Sequence, residues 1–125
     1  MKIISTTNAP AAIGPYSQAM VCGNMLFTSG QIAIDPATGN VVEGGIVEQT
    51  EQIMKNLGAV LEAAGVGYEN AVKTTCFLAD INDFATFNEI YGKYFVSKPA
   101  RSCVAVKDLP KKLLCEVEII AVMNK

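Results

Sequence analysis

Short runs of apolar residues bounded by turn residues predict strands in the first third of the chain. The segment SQAMVCGNMLFTSGQIAI, residues 17–34, contains two such runs joined by Gly23 and Asn24, a two-residue turn that accepts positive φ. Another extended stretch follows Gly30. We therefore expect a hairpin or a meander of three strands before the first helix.

Helical spacing of apolar residues appears twice. After the turn DPATGN at residues 35–40, a first set recurs three or four residues apart until Gly65: Ile46, Ile53, Leu57, Val60, Leu61 and Ala64. A second segment, residues 82–95, opens with an Asn-Asp cap and places four aromatic residues on one stripe: Phe84, Phe87, Tyr91 and Phe95. Both patterns predict amphipathic helices, each with one face to bury.

Three further strands complete the predicted order ββ(β)αβαββ. One lies between the helices in AVKTTCFLAD, residues 71–80, and two close the chain in RSCVAV and LLCEVEIIAVM, with a Lys-rich turn after Pro110. Two one-sided helices and one set of strands favour an α+β fold of two layers, in which a mixed β-sheet carries two α-helices on one face. A length of 125 residues predicts a single domain over 1–125.

Strand alternation divides the last two strands into chemically different faces. In the final strand one face is wholly apolar and suits a position under the helices: Cys115, Val117, Ile119, Ala121 and Met123. The other face carries Glu116, Glu118, Ile120 and Val122, a mixture typical of an oligomer interface that contains a pocket. In the preceding strand, Arg101, Cys103 and Ala105 share a face. Solvated strand carboxylates and a solvated arginine are the simpler interpretation of both patterns.

Composition excludes several classes of function. Half of the residues are hydrophobic, 18% are charged and mean hydropathy is +0.29, which favours self-association. The net charge of −2 and the scattered Lys and Arg make nucleic acid an unexpected partner. There is no histidine, so the usual neutral-pH base and the Ser-His and Cys-His pairs are absent.

No leader or membrane span is evident, which predicts a cytoplasmic protein. The four cysteines lack metal-ligand spacing, which predicts free thiols.

Ordered motifs along nearly the whole chain resemble the Rid/YjgF family, specifically the RidA-type reactive intermediate deaminases: NAPAAIGPYSQA, FTSGQI, DPATG, NLGAVLEAAG, KTTCFLADINDFATFNEIYGKYF, PARSCV, LP and EVEIIAV. The resemblance implies a chorismate-mutase-like subunit in a homotrimer with a central barrel and active sites between subunits. It implies hydrolysis of 2-imino acids, such as 2-iminopropanoate and 2-iminobutanoate, to 2-oxo acids and ammonia, without cofactor or metal. The site residues that it implies are Tyr16, Ser29, Gly30, Asn88, Arg101, Cys103 and Glu116.

Each implied residue suits a role in that chemistry. Arg101 can bind the substrate carboxylate through two parallel hydrogen bonds. Glu116 can activate the water and return a proton to the departing nitrogen, while Glu118 is the same-face alternative or a rim residue in a salt bridge. Tyr16 would orient water or cap the pocket. Cys103 would form a pocket wall, and its thiol could have a lowered pKa beside the arginine.

The remaining residues have binding roles, and other functions stay open. Backbone groups near Ser29, Gly30 and Cys103 could hold the nitrogen and the carboxylate of the substrate. Asn88 is a binding candidate through the resemblance, although on pattern alone a structural polar group is the simpler interpretation of both Asn88 and Tyr16. The alternatives to a deaminase are a ligand-binding regulatory or chaperone-like module, and a ribonuclease or translation inhibitor.

Overall fold

A computed structural model describes residues 1–124 and forms one six-stranded sheet covered on one face by two helices. The elements in chain order are β1 Lys2–Ile4, β2 Ala19–Cys22, β3 Met25–Thr28, α1 Ile46–Ala63, β4 Ala71–Leu78, α2 Phe84–Tyr94, β5 Ala100–Ala105 and β6 Cys115–Val122. The strand order across the sheet is β1-β2-β3-β6-β4-β5, and only β4 and β5, which flank α2 in the chain, pair in parallel. The predicted α+β class, the mixed sheet and the two helices on one face are confirmed.

The start of the chain differs from the prediction in two places. Strands β2 and β3 form the expected hairpin through Gly23, whose φ is +59°. Strand β1, which pairs with β2, was not predicted. The stretch after Gly30 makes only isolated bridges and no strand. The side-chain amide of Asn56 donates to the carbonyls of Ile32 and Ile34, at 3.0 and 2.9 Å, and so satisfies acceptors that a neighbouring strand would otherwise bind.

Helix α1 follows the predicted apolar spacing closely. Its core residues are fully buried: Ile53, Met54, Leu57, Val60 and Leu61. The helix ends at Ala63, and Gly65 then adopts a φ of +82°, the left-handed conformation that glycine allows at a helix end. The predicted stop at Gly65 is confirmed.

Helix α2 confirms the aromatic stripe but not the details of its cap. Phe87, Tyr91 and Phe95 are buried, whereas Phe84 stays 37% exposed. Asp83 occupies the cap position without a side-chain hydrogen bond. Asp80 instead accepts from the backbone of Asn82 and caps the short 3₁₀ turn that precedes the helix, so the capping carboxylate lies before the predicted Asn-Asp pair.

The two faces of the sheet separate core from pocket. Four of the five predicted apolar residues lie in β6 beneath the helices, none more than 1% exposed: Cys115, Val117, Ile119 and Ala121. Met123 lies beyond the strand and is only partly buried. Full burial of a Val or Ile side chain stabilises a fold by about 1.5–3 kcal/mol. The opposite face is half-buried on β6 and exposes Phe27 and Val104 by 43% and 46%. Within residues 1–124, no helix has the length and apolar character required to cross a membrane.

Candidate active site

The predicted site residues lie in two groups on opposite faces of the sheet. Arg101 pairs in register with Thr74, which also pairs with buried Ile119, so the guanidinium lies on the helix-covered face. Glu116 pairs with Phe77 three rungs away and points to the opposite face. A single chain therefore does not bring Arg101 and Glu116 together.

The first group, here the arginine cradle, consists of Arg101, Asn88, Tyr91 and Phe84. The guanidinium donates to the Oδ1 atom of Asn88 at 2.7 Å. Its central carbon lies 4.8 Å from the ring centre of Tyr91 and 5.5 Å from that of Phe84. Each such cation–π contact is worth roughly 0.5–2 kcal/mol. Helix α2 thus fixes the plane of the guanidinium before any ligand binds.

The cradle leaves the arginine with donors for a ligand. A guanidinium carries five N–H donors in a planar fork, and the hydrogen bond to Asn88 occupies one of them. The Tyr91 hydroxyl shares a hydrogen bond of 2.6 Å with Thr74, which holds the ring against the arginine. Beside the cradle is an open cleft of about 450 Å³, lined by Asn88, Tyr91, Gly92, Phe95, Val96, Lys98, Pro99 and Arg101. The arrangement can bind a planar anion such as a carboxylate.

Cys103 lies beside the cradle and is not an activated thiol. It pairs in register with Cys76 on the neighbouring strand. Burial raises the pKa of Cys103, and Arg101 only partly opposes that shift, so the lowered pKa considered from the sequence is wrong. Burial likewise raises the pKa of Cys76 to about 12. Both groups are neutral thiols at neutral pH, which fits the predicted pocket wall, and all four cysteines are free as predicted.

The second group, here the glutamate cleft, lies on the other face and encloses about 550 Å³. Its lining residues are Pro10, Ala11, Ile13, Tyr16, Gln18, Ser29, Gly30, Gln31, Ile32, Ile34, Pro110, Lys111, Glu116 and Glu118. Tyr16, Ser29, Gly30 and Glu116 therefore meet in one cleft, as the resemblance implies for them. Asn88, Arg101 and Cys103 lie outside it.

Glu116 is held closely against the backbone of Gly30. A Cβ atom at position 30 would overlap the carboxylate oxygen Oε2 and lie 2.9 Å from Cδ, so this approach requires glycine. Burial raises the pKa of Glu116, and the nearby charge of Glu118 raises it further. A half-buried carboxylate whose pKa is raised can accept and return a proton nearer neutral pH than an exposed one.

Hydrogen bonds from two sides fix the loop that carries Gly30. Gln31 and Val117 exchange backbone hydrogen bonds of 2.8 and 3.2 Å, which pin the loop to β6. The Ser29 hydroxyl donates to the carbonyl of Ser17 at 2.6 Å, and its amide donates to the carbonyl of Gln18 at 2.9 Å. Ser29 therefore positions the loop, and its side chain has a structural partner. Tyr16 lies on the rim of the glutamate cleft, and its side chain is 53% exposed.

Sequence reasoning missed residues that build the site without touching its reacting centre. Buried Gln18 donates to the carbonyls of Thr6 and Pro10 at 3.0 and 2.8 Å and accepts from the amide of Thr6 at 2.7 Å. It thereby fixes the segment that forms one wall of the glutamate cleft. The available signal was an amide side chain two positions after Tyr16 at the start of an apolar strand. Tyr91 was assigned only to the core stripe, and Lys111 only to a Lys-rich turn.

The described part of the chain shows no candidate metal-binding site. Residues 1–124 contain no cluster of three or more His, Cys, Asp or Glu side chains placed to bind one ion. The groups available for chemistry are therefore the guanidinium, the carboxylates, the Tyr16 hydroxyl and backbone amides.

Similarity to known proteins extends over almost the whole chain. The family model described as Endoribonuclease L-PSP matches residues 6–123. A mouse protein named 2-iminobutanoate/2-iminopropanoate deaminase is 54% identical, over 98% of this chain and 92% of its own. The human protein of the same name is 51% identical, over 98% and 90% respectively.

Solved structures show the same fold. YyfA from Yersinia pestis, described as a protein of the conserved Rid family, is 50% identical and superposes with a TM-score of 0.94 over 97% of this chain and 98% of its own. TdcF from E. coli, solved with bound serine, is 44% identical with a TM-score of 0.92 over 98% of each chain. The sequence resemblance is thus confirmed by family, by relatives and by fold, and the chain belongs to the Rid/YjgF family.

Proposed function

We propose that the chain is a 2-iminobutanoate/2-iminopropanoate deaminase. In this reaction a water oxygen bonds to C2 of a protonated 2-imino acid, the C–N bond breaks, and a 2-oxo acid and ammonium are released. The observation that carries the proposal is the half-buried carboxylate of Glu116, held against Gly30 with a raised pKa in a cleft. The mammalian relatives named for this activity supply the substrate class.

Different residues bind the substrate and transfer protons. Arg101 binds the substrate carboxylate with the donors that Asn88 leaves available. Glu116 takes a proton from the attacking water and returns it to the nitrogen as that atom departs. Tyr16 orients the water at the rim, and backbone groups near Ser29, Gly30 and Cys103 contact the substrate. Because a protonated imine is already electrophilic, positioning and proton transfer suffice.

The site is completed by a second copy of the chain in a homotrimer with a central barrel. Two observations support this assembly: the arginine cradle and the glutamate cleft occupy opposite faces of one sheet, and the cleft-bearing face leaves Phe27 and Val104 exposed. Each active site then combines the cradle of one subunit with the cleft of its neighbour. Light scattering should give a trimer at micromolar concentration, and a monodisperse monomer would contradict it.

The unit of function is one domain over 1–125 that acts without cofactor or metal in the cytoplasm. Four free cysteines support the reducing compartment. Carboxylic side chains, a tyrosine and a guanidinium can perform imine hydrolysis without electron transfer, which supports the absence of a cofactor.

Ammonia release tests the activity directly. An amino acid oxidase generates 2-iminopropanoate or 2-iminobutanoate in place, and the rate of hydrolysis is measured above the uncatalysed background. Wild-type protein should accelerate hydrolysis in proportion to its concentration. If no acceleration is seen with either imine, while a 2-oxo acid still binds, the chain is a binding module.

Mixing inactive variants tests whether the site is shared between subunits. Arg101→Lys and Glu116→Gln each disable every site in a homotrimer. After co-refolding at equal amounts, activity should recover to about one quarter of wild type, because each mixed trimer contains one site with both native residues. Each variant refolded alone is the control. No recovery in a mixed trimer would assign both residues to one chain.

A ribonuclease is the competing function, since the matching family carries that description. The chain has no histidine and a net charge of −2, and its cleft presents two carboxylates, which disfavours binding of RNA phosphates. RNA binding that falls steeply with salt, together with cleavage that Glu116→Gln abolishes, would favour the ribonuclease.

A further inference from the structure

A strained turn at the mouth of the glutamate cleft holds two consecutive lysines. Lys111 and Lys112 both have a φ of +56°, and the amide of Leu113 donates to the carbonyl of Pro110 at 3.1 Å. Two central residues with positive φ are typical of a type I′ turn, for which Asn-Gly is the favoured sequence. A left-handed conformation is unfavourable for lysine because its Cβ approaches the following carbonyl.

Only one of the two strained lysines reaches the cleft. Lys111 lines it together with Glu116 and Glu118, whereas Lys112 is not among the lining residues. Both lysines are exposed. Among the cleft-lining residues that the structure describes, Lys111 is the one with a positive charge, against two carboxylates.

This charge balance matters for the proposed substrate. A 2-imino acid carries a carboxylate, which the charges of Glu116 and Glu118 repel from the cleft that holds the reacting water. An ammonium at the mouth offsets that repulsion and raises the local concentration of an anionic ligand. Strained residues persist at functional sites when the side chain placed there has a use.

We propose that Lys111 is a specificity-determining residue, whose ammonium at the mouth of the glutamate cleft favours anionic 2-imino and 2-oxo acids over neutral analogues. The inference rests on the proposed function for its substrate class. Lys111 combines the strained backbone with a place in the cleft lining, whereas Lys112 shares the strain without sharing that place.

Three variants separate the charge from the strain. Lys111→Met removes the charge and keeps a side chain in the strained conformation. Lys111→Gly removes both charge and strain, and Lys112→Gly is the matched control that relieves strain beside the cleft. Both glycine variants should have a higher Tm than wild type, whereas Lys111→Met should not.

Ligand binding is the decisive measurement and requires no turnover. Calorimetric titration with 2-oxobutanoate should show about tenfold weaker binding for Lys111→Met and Lys111→Gly, and unchanged binding for Lys112→Gly. The difference should shrink at high salt, which screens an exposed charge. Binding of the neutral amide 2-oxobutanamide should be the same in all four proteins, and Lys111→Arg should restore binding of the acid.

Turnover distinguishes failure of this inference from failure of the proposed function. With 2-iminobutanoate, the Lys111 variants should show a raised KM and a nearly unchanged kcat. Wild-type turnover combined with wild-type affinity in Lys111→Met overturns the role of Lys111 alone. Equal losses of affinity for the acid and the amide also overturn it. Wild-type protein that binds 2-oxobutanoate through Lys111 but does not accelerate ammonia release above the uncatalysed rate overturns the deaminase and leaves the charge selection standing.

Discussion

The arginine cradle and the glutamate cleft hold opposite charges by different physical means. In the cradle, Arg101 is fixed by side chains of helix α2: it donates a hydrogen bond to Asn88, and the rings of Tyr91 and Phe84 lie around it. In the cleft, Glu116 lies against the backbone of Gly30 in a loop, where burial and Glu118 both disfavour its charge. One charge is supported by its surroundings and the other is opposed.

The difference matches what each role requires. A carboxylate anchor must stay charged and keep its orientation, and a guanidinium on a regular helix and strand does both. A group that takes up and returns a proton must tolerate both protonation states, so a carboxylate whose pKa is raised is suitable. The contrast predicts that variants in the cradle should impair binding and orientation, whereas variants in the cleft should impair proton transfer.

The largest effect is expected from Arg101→Lys. Loss of one charge-assisted hydrogen bond and of the fixed alignment should lower kcat/KM by about 10³-fold, because lysine offers a point charge in place of a planar fork. Circular dichroism and light scattering should show an unchanged fold and assembly. A kcat/KM near that of wild type would show that Arg101 does not anchor the substrate carboxylate. The proposed difference in role between the cradle and the cleft would then be wrong.

Glu116→Gln should have the next largest effect, and it should impair proton transfer in the cleft rather than binding. The amide keeps shape but cannot take a proton, so kcat should fall about 10²-fold while 2-oxobutanoate binding is retained. Glu118→Gln is the matched control on the same strand face and should turn over at close to the wild-type rate. The reverse pattern would transfer the proton-transfer role to Glu118, and full activity in both would leave catalysis to positioning alone.

Much of the cleft could be predicted because strand alternation and motif order are local signals. The burial of Val117 and the half-buried position of Glu116 follow from a period of two in β6. The approach of Gly30 to Glu116 is a long-range contact, which the sequence indicated only through the family motifs. The extended stretch after Gly30 was wrongly expected to be a strand because nothing local shows that Asn56 satisfies its carbonyls.

The cradle was less predictable because its residues have two explanations in the sequence. Tyr91 fits the core stripe of α2 and does lie in the core, yet its ring also faces Arg101. The pKa of Cys103 was misjudged because the nearby arginine is visible in the sequence, whereas the burial that outweighs it is not. Lys111 was not predicted as a site residue because its proposed role depends on a turn with two positive φ angles. The sequence Lys-Lys does not indicate such a turn.

Asn88→Ala tests how far the rigidity of the cradle matters, with a smaller effect than either charged residue. Without the acceptor at 2.7 Å the guanidinium loses its in-plane partner but keeps Tyr91 and Phe84. We expect kcat/KM to fall about tenfold, equivalent to one lost hydrogen bond to a charged group. Most of the loss should appear in KM. Glu89→Ala, on the exposed side of α2, controls for the change in helix propensity, and an equal loss there would make Asn88 merely structural.

The smallest effect concerns stability and has the opposite sign to the loss of activity. Because burial and Glu118 raise the pKa of Glu116, the folded protein binds that proton more tightly than the unfolded chain, and ionisation at neutral pH costs stability. Glu116→Gln should therefore have a higher Tm than wild type at pH 7. As the pH falls through the raised pKa, the wild-type carboxylate becomes neutral and the gain shrinks, disappearing below about pH 4, where the unfolded chain is protonated as well.

Thermal unfolding of both proteins between pH 4 and pH 8 measures this gain, with Glu89→Gln as the control for removing one exposed negative charge. A gain that is constant across this pH range would mean that the amide simply packs better than the carboxylate. A lower Tm at pH 7 would mean that the folded protein stabilises the Glu116 charge. The first result would mean that folding neither supports nor opposes the Glu116 charge, and the second would place it with Arg101 as a supported charge. Both would remove the physical reason for assigning Glu116 the proton transfer.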